Sequence, residues 1–409
     1  MSQSRSPFSR KRPYMLFKRI ESEGLAHYSY LIGDNGEAAV IDPRRDCSIY
    51  IEEAVKRGFR IKNIFETHCN EDYVIGSLEL SSQTRAEIWH ADFQWDYRYG
   101  YPVHDGQLWK IGRLMFRALS TPGHTPGHMS YLLHDVQNNP WVVFTGDALF
   151  AGEVGRVDLL GMDRAPEMAG ILYDTLFDKL LKLPDGVIVC PAHGTGSVCG
   201  NAISERPWTT IGLERSHNPK LQYKTKEEFI AATAQELDRP PYFTQMEKLN
   251  REGPPLLGQL PVPLPLSPAD FNERIHDSVT IDTRMVECFG EAHVPGAQSI
   301  WCDGLPGFAG WFLPYDKPIL MINGSDDPDT PVRYLVRIGY DKLEGYLSGG
   351  MYAWNTAGFD SNSINTITIQ ELCRLLDEHK KPWILDVRTP REIVEAGEIP
   401  GGHLIEVVQ

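Results

Sequence analysis

Apolar residues fall in short runs of four to six, separated by polar or glycine-rich stretches, and this rhythm predicts an alternation of strands and helices. Tyr28-Ser-Tyr-Leu-Ile32 predicts a strand, Gly33-Asp-Asn-Gly36 a turn, and Ala38-Ala-Val-Ile-Asp42 a second strand. Residues 48–58 carry a helical pattern, and Ile61 to Glu66 predicts a short strand that runs straight into a polar loop. Trp141-Val-Val-Phe-Thr-Gly-Asp147 and Gly186-Val-Ile-Val-Cys-Pro-Ala-His193 are two further buried strands ending in turns. Polar chemistry thus recurs at strand ends, where a packed scaffold holds loops in place.

Residues 222–252 are predicted helical, with Asp238-Arg-Pro-Pro-Tyr interrupting. Residues 253–268 are proline-rich and are expected to form an extended linker between domains. A second α/β pattern follows. Val279-Thr-Ile-Asp282 and Pro318-Ile-Leu-Met-Ile-Asn323 predict strands, and Leu347 to Trp354 closes the unit. The pattern then restarts. Trp383-Ile-Leu-Asp-Val-Arg388 mirrors Val279 to Arg284, and Glu398-Ile-Pro-Gly-Gly402 mirrors Ala292-His-Val-Pro-Gly296. This is an internal repeat of roughly 100 residues whose second copy stops about half-way at Gln409. An open half-domain exposes apolar surface, so the unit is expected to continue or to pack on something else.

At 409 residues the chain is too long for one core, so two or three domains are expected. Hydrophobic content of 42% supports packed domains over disorder. Net charge of -15 argues against nucleic acid or an anionic membrane as partner. Seven scattered cysteines fit no zinc ribbon or secreted disulfide framework and point to a reducing cytoplasm. The N-terminal segment Met1 to Arg19 is Ser/Arg/Lys-rich without an apolar stretch, so no secretory signal is expected. No run of about 18 apolar residues predicts a membrane span.

Candidate chemistry concentrates in four segments: Thr67-His68-Cys69-Asn70-Glu71-Asp72-Tyr73, Thr121-Pro-Gly-His124-Thr-Pro-Gly-His128, Thr145-Gly-Asp147, and Pro191-Ala-His193-Gly. Together they resemble the metallo-β-lactamase superfamily over about residues 14–250. The resemblance implies an αββα sandwich with metal ligands at the sheet edges. Members of the superfamily carry H-x-H-x-D-H where this chain has His68, Asn70, Asp72 and Tyr73. In the dinuclear hydrolases, those positions with His124, Asp147 and His193 hold two metals, so Asn70 and Tyr73 leave the second site badly built. The persulfide dioxygenase branch uses only three of the positions, here His68, His124 and Asp147, for one iron. Two histidines and one carboxylate leave three positions open on Fe(II).

Asp72 and His193, and with them Asn70 and Tyr73, are then expected to support those ligands or to serve as alternative ones. His128 is read as a hydrogen-bonding structural residue, and His90 and His104 as ordinary histidines. Gly146 to Leu160 also resembles the dioxygenase branch. There Arg156 is a candidate either for an anion contact near the iron or for an ion pair with Asp158. Cys199 is a candidate sulfane-sulfur acceptor if a thiolate-stabilising setting exists, and otherwise a small buried residue.

Asp282-Thr-Arg284, Glu291 to Ala297, Gly349 to Trp354, Asp386 to Pro390 and Gly397 to His403 resemble rhodanese domains. The resemblance places residues 269–362 in a rhodanese-like domain and 363–409 in the first part of another. An active rhodanese opens the loop after its central strand with a cysteine. Here that loop, Ile322 to Pro331, contains none and carries two adjacent aspartates, so this copy is expected to be silent.

The expected fold class is therefore α/β: a metallo-β-lactamase-type αββα sandwich over 1–252, then rhodanese-like α/β domains. The implied activity is that of a dioxygenase with one Fe(II) per chain, or zinc as the alternative. It would oxidise a thiol persulfide, such as glutathione persulfide, with O2 to sulfite and thiol. A complete second rhodanese could couple this to thiosulfate formation, and a homo-oligomer is expected. Two alternatives stand beside it: a glyoxalase II-like thioester hydrolase, and a weakened sulfur-relay or scaffold protein.

Overall fold

The structure, a computed structural model, describes residues 15–92, 95–200, 202–378, 380, 382–399 and 401–405. The first fourteen residues of the expected signal-free N-terminus, Pro400 of the repeated segment and the C-terminal residues 406–409 lie outside the described residues.

Two six-stranded sheets build the first unit. One has the order β1 (Leu16–Ser22), β2 (His27–Asp34), β3 (Glu37–Ile41), β4 (Arg60–Glu66), β5 (Glu87–His90), β6 (Tyr101–Pro102). The other comprises β7 (Leu108–Ile111), β8 (Leu114–Ser120), β9 (Met129–His134), β10 (Pro140–Gly146), β11 (Ile188–Pro191) and β12 (Thr209–Thr210), in reverse spatial order. Side chains alternate across each strand, and here both faces are buried. In β2, Tyr30 and Ile32 meet Phe65, Phe116, Tyr131 and Phe144 between the sheets. Leu31 points the other way, into a cluster with Val40, Ile64, Tyr50 and Leu80 under the helices Ser48–Lys56 and Ser77–Thr84. On the far side Val143 and Val189 pack against Leu172, Leu176 and Phe229 of the helices Ala165–Asp178 and Lys226–Thr233. The result is a helix–sheet–sheet–helix sandwich.

The β2–β3 connection is tighter than the expected four-residue turn. Strand pairing runs to Asp34 opposite Glu37, leaving only Asn35 and Gly36, both at positive φ (49° and 84°). That two-residue mirror turn matches the twist of the strands it joins, and Asn-Gly suits it.

A five-stranded parallel sheet forms the second unit, ordered β13 (Leu264–Leu266), β17 (Leu343–Leu347), β16 (Ile319–Ile322), β14 (Val279–Asp282), β15 (Gln298–Ser299). Strand β13 lies inside the proline-rich stretch. Pro265 lacks an N–H, and the edge position is where a sheet tolerates that. Beyond it, β18 (Ile384–Asp386) and β19 (Gly402–Leu404) form a separate parallel pair. The internal repeat is visible as one shared clamp. Arg284 grips Asp282 at 2.7–3.1 Å and the carbonyl of Ala292 at 2.7 Å. Arg388 grips Asp386 at 2.6–2.9 Å and the carbonyl of Gly397 at 3.1 Å.

The two units are joined by buried contacts. Leu25, Tyr73 and Ile75 of the first unit share an apolar cluster with Ile281, Met321, Leu335 and Tyr340 of the second. Arg337 donates to both oxygens of Asp46 at 3.0 Å and to Glu23 at 2.9 Å. Arg45 donates to Asp341 at 2.5 and 2.8 Å. No helix among the described residues is long and apolar enough to cross a membrane.

Candidate metal centre

The expected ligands come from three separate strand ends. His68 follows β4, His124 lies in the β8–β9 connection, and Asp147 follows β10. Their donor atoms all lie within 4.8 Å of one another, and all three side chains are buried. Asp147 Oδ2 is 3.8 Å from His68 Nε2 and 3.7 Å from His124 Nε2.

Hydrogen bonds fix which imidazole nitrogen faces the centre. His124 Nδ1 lies 3.0 Å from the carbonyl of Arg156, which can only accept, so Nδ1 carries the proton. The Thr67 hydroxyl donates to Asp42 Oδ2 at 2.8 Å, so its oxygen accepts from His68 Nδ1 at 2.8 Å. Both Nε2 atoms thus bring lone pairs to the same point, and neither has a hydrogen-bond partner. Two orphaned, buried nitrogens beside a buried carboxylate are what a metal site requires. Ligand N and O atoms sit about 2.0–2.2 Å from a divalent ion such as zinc, which puts neighbouring donors roughly 3–3.5 Å apart. The two His–Asp separations exceed that by only a few tenths of an ångström, so the residues fit a metal.

Burial, helped by the nearby His124 and His193, pushes His68 down to about 4, with Asp147 and Glu71 opposing. At His124 burial also disfavours charge, but Glu71 and Asp147 outweigh it and raise the imidazole to about 9. Glu71 itself is pushed up by burial and pulled down further, to about 2, by His124 and His68.

Supporting residues complete the frame. His193 Nδ1 reaches Asp147 Oδ1 at 2.8 Å, and its Nε2 lies 2.9 Å from Asp72 Oδ2. That second approach lacks hydrogen-bond geometry, so both atoms count as unpartnered despite the short distance. His128 has the structural role expected of it. Its Nε2 accepts from the Asp147 N–H at 3.1 Å while Nδ1 contacts Thr121 at 2.9 Å. Asn70 turns its amide to the His68 carbonyl at 3.3 Å. Tyr73 faces the apolar cluster between the units, its ring 4.0 Å from that of His27. Neither position supplies an imidazole.

Of the two roles open for Arg156, the geometry matches the ion pair. Nε and Nη2 each donate to Asp158 at 2.8 Å, and the remaining N–H groups go to carbonyls of Val198, Leu237 and Asp238. Its backbone carbonyl, not its guanidinium, touches the centre, through His124. Cys199 is buried with Sγ donating to Glu71 Oε1 at 3.4 Å. Burial, then Asp72 and Glu71, push its thiol well above the usual range, the reverse of a thiolate-stabilising setting.

Three residues without a role in the sequence reading hold the site. Asp92 accepts from the Cys69 N–H, the Thr125 hydroxyl and the Gly127 N–H at 2.7–2.9 Å, tying the His68 loop to the His124 loop. Glu71 turns its carboxylate inward. Asn250, on the helix Phe243–Glu252, donates to the carbonyls of Asn70 and Tyr73 at 2.7 and 2.8 Å and accepts from the Ile75 N–H at 2.9 Å. Replacing Asn250 with Ala strands three buried backbone groups at about 1–3 kcal/mol each. The expected outcome is a lower melting temperature with weaker metal retention, read by calorimetry and metal analysis. An unshifted transition would remove Asn250 from the frame.

A family model described as the metallo-beta-lactamase superfamily matches residues 23–193. The hydroxyacylglutathione hydrolase GloC of Haemophilus influenzae is 29% identical over 222 residues, which is 48% of this chain and 93% of the enzyme. The human mitochondrial persulfide dioxygenase ETHE1 is 30% identical over 214 residues, 50% of this chain and 74% of that protein. A metallo-beta-lactamase from Staphylococcus aureus subsp. aureus COL superposes with a TM-score of 0.72 at 29% identity, covering 82% of this chain and 99% of its own. The chain belongs to the metallo-beta-lactamase superfamily. Persulfide dioxygenases and hydroxyacylglutathione hydrolases are relatives at similar identity.

Proposed function

We propose that the protein is a one-metal, iron-dependent persulfide dioxygenase. It would convert a low-molecular-weight thiol persulfide such as glutathione persulfide, one O2 and one water into the thiol and sulfite, releasing two protons. The observation that carries this reading is the convergence of His68, His124 and Asp147 on one point, while positions 70 and 73 offer no imidazole. Relatives with this activity support it.

Bound Fe(II) would supply the sites where persulfide sulfur and O2 meet and the electrons that activate O2. The chain's own residues do the rest. Thr67 and the Arg156 carbonyl hold the two imidazoles in the ligand tautomer, and His193 and the His128–backbone contact orient Asp147. Complete burial excludes bulk water and raises the strength of each electrostatic contact.

A second reading, hydrolysis of an acyl-glutathione thioester, is favoured by one observation. Asp72, His193 and Cys199 form another buried group of donors within 4.8 Å. Metal analysis with oxygen uptake on glutathione persulfide separates the two. One iron per chain with O2 consumption is expected. Two zincs per chain, no O2 uptake and acyl-glutathione hydrolysis would reject the dioxygenase. Metal-free protein that still binds persulfide would instead favour a silent sulfur relay.

A further inference from the structure

Position 71 is a spacer in the superfamily motif, yet in this chain it holds a carboxylate that turns into the centre. Glu71 Oε1 lies 3.5 Å from His124 Nε2, and Oε2 lies 3.9 Å from His68 Nε2. Asp147 reaches both imidazoles through one oxygen, Oδ2, at 3.7 and 3.8 Å, whereas Glu71 turns a different oxygen to each. Both carboxylates therefore border the same pair of imidazole Nε2 atoms. Glu71 is fully buried, its Oε2 has no hydrogen-bond partner, and Oε1 has only the Cys199 thiol. Arg156 does not neutralise it by contact, because its N–H groups go to Asp158 and to carbonyls.

An isolated carboxylate in such a place is costly unless a cation faces it. With the Nδ1 protons fixed by Thr67 and the Arg156 carbonyl, each nearby Nε2 faces its oxygens as a lone pair unless a second proton or a metal ion sits between them. A divalent ion between the four groups removes both penalties at once. We infer that Glu71 is a fourth protein donor to the metal held by His68, His124 and Asp147, an inference that rests on the one-metal reading above. Two imidazoles and two carboxylates cancel the charge of a divalent ion and leave two positions of an octahedron open instead of three. The site is then a neutral centre, and an anionic sulfur ligand competes with Glu71 for it.

Cobalt(II) reports this without turnover, since its visible absorption follows the number and type of donors. Wild type, Glu71→Gln and His124→Ala are loaded with Co(II), their spectra recorded and their affinities measured by chelator competition. Glu71→Gln keeps the shape of the side chain and removes its charge. It is expected to lower affinity by at least roughly 10- to 100-fold, the cost of losing even an outer hydrogen-bonding partner, and to change the visible spectrum. Should Glu71→Gln fail to fold by circular dichroism, Glu71→Asp serves, since it keeps the charge but withdraws the donor by one methylene. Unchanged affinity with a superimposable spectrum would overturn the role of Glu71 alone, provided His124→Ala still loses the metal. Wild type that binds no Co(II), or His124→Ala that binds it as wild type does, would sink the one-metal reading as well.

Discussion

Protein carrying His124→Ala is expected to leave purification without iron and to consume no O2 with glutathione persulfide. The substitution deletes one of two imidazole lone pairs and leaves His68 and Asp147 from the proposed triad. Losing a hydrogen-bonding partner outside the ligands typically costs 10- to 100-fold in metal affinity, and losing a ligand should exceed that. The arrangement at this corner adds to the effect. Glu71 Oε1 lies 3.5 Å from His124 Nε2, and the Arg156 carbonyl receives the His124 Nδ1 proton. Alanine would leave both without that partner. Elemental analysis and an oxygen electrode check the prediction together. Retention of one iron per chain would remove His124 from the ligand set, whichever metal the wild type prefers.

A second large effect is expected far from the metal. Asp46→Ala should destabilise the protein by about 3–5 kcal/mol, the cost of breaking a buried ion pair by removing one partner. The Asp46 side chain is 0% exposed and accepts from both Nε and Nη2 of Arg337 at 3.0 Å, with Arg44 at 3.1 Å. Arg337 is itself only 2% exposed, and its remaining carboxylate partner, Glu23, is more than half exposed. Without Asp46 two guanidinium groups stay buried against one solvent-facing carboxylate. Calorimetry should show a transition displaced to lower temperature. A melting curve identical to wild type would mean that the ion pair contributes nothing net at this junction.

Local features were legible in the chain where they depend on local pattern. The runs at 61–66, 141–146 and 279–282 are strands because β-branched and aromatic residues dominate them, and each ends at or just before a polar residue. His68, His124 and Asp147 could be singled out because each stands in a short, ordered segment at such an end. Residues contributed from elsewhere were not legible in this way. Asn250 acts 175 to 180 residues away from its partners. A signal did exist: Phe243, Met246 and Asn250 share the buried face of one helix, so a polar residue stood on an apolar stripe. Glu71 gave none, since the direction of a loop side chain follows from tertiary contacts. Composition misled twice. Proline content at 253–268 hid the edge strand Leu264–Leu266, and the interruption in 222–252 is wider than the Asp238 to Tyr242 segment, helix ending at Thr233 and resuming at Phe243.

The Val74 N–H donates to the carbonyl of Arg337 at 2.7 Å, one residue beyond the tyrosine that replaces a superfamily histidine. The chain segment carrying His68 and Glu71 is therefore anchored at its far end by a helix of the second unit, Asp329–Arg337. Cutting the protein at residue 252 would bare Leu25, Tyr73 and Ile75 to water and release that anchor. The second unit thus buttresses the loop that carries the candidate ligands, and the two units share one continuous apolar and ion-paired seam.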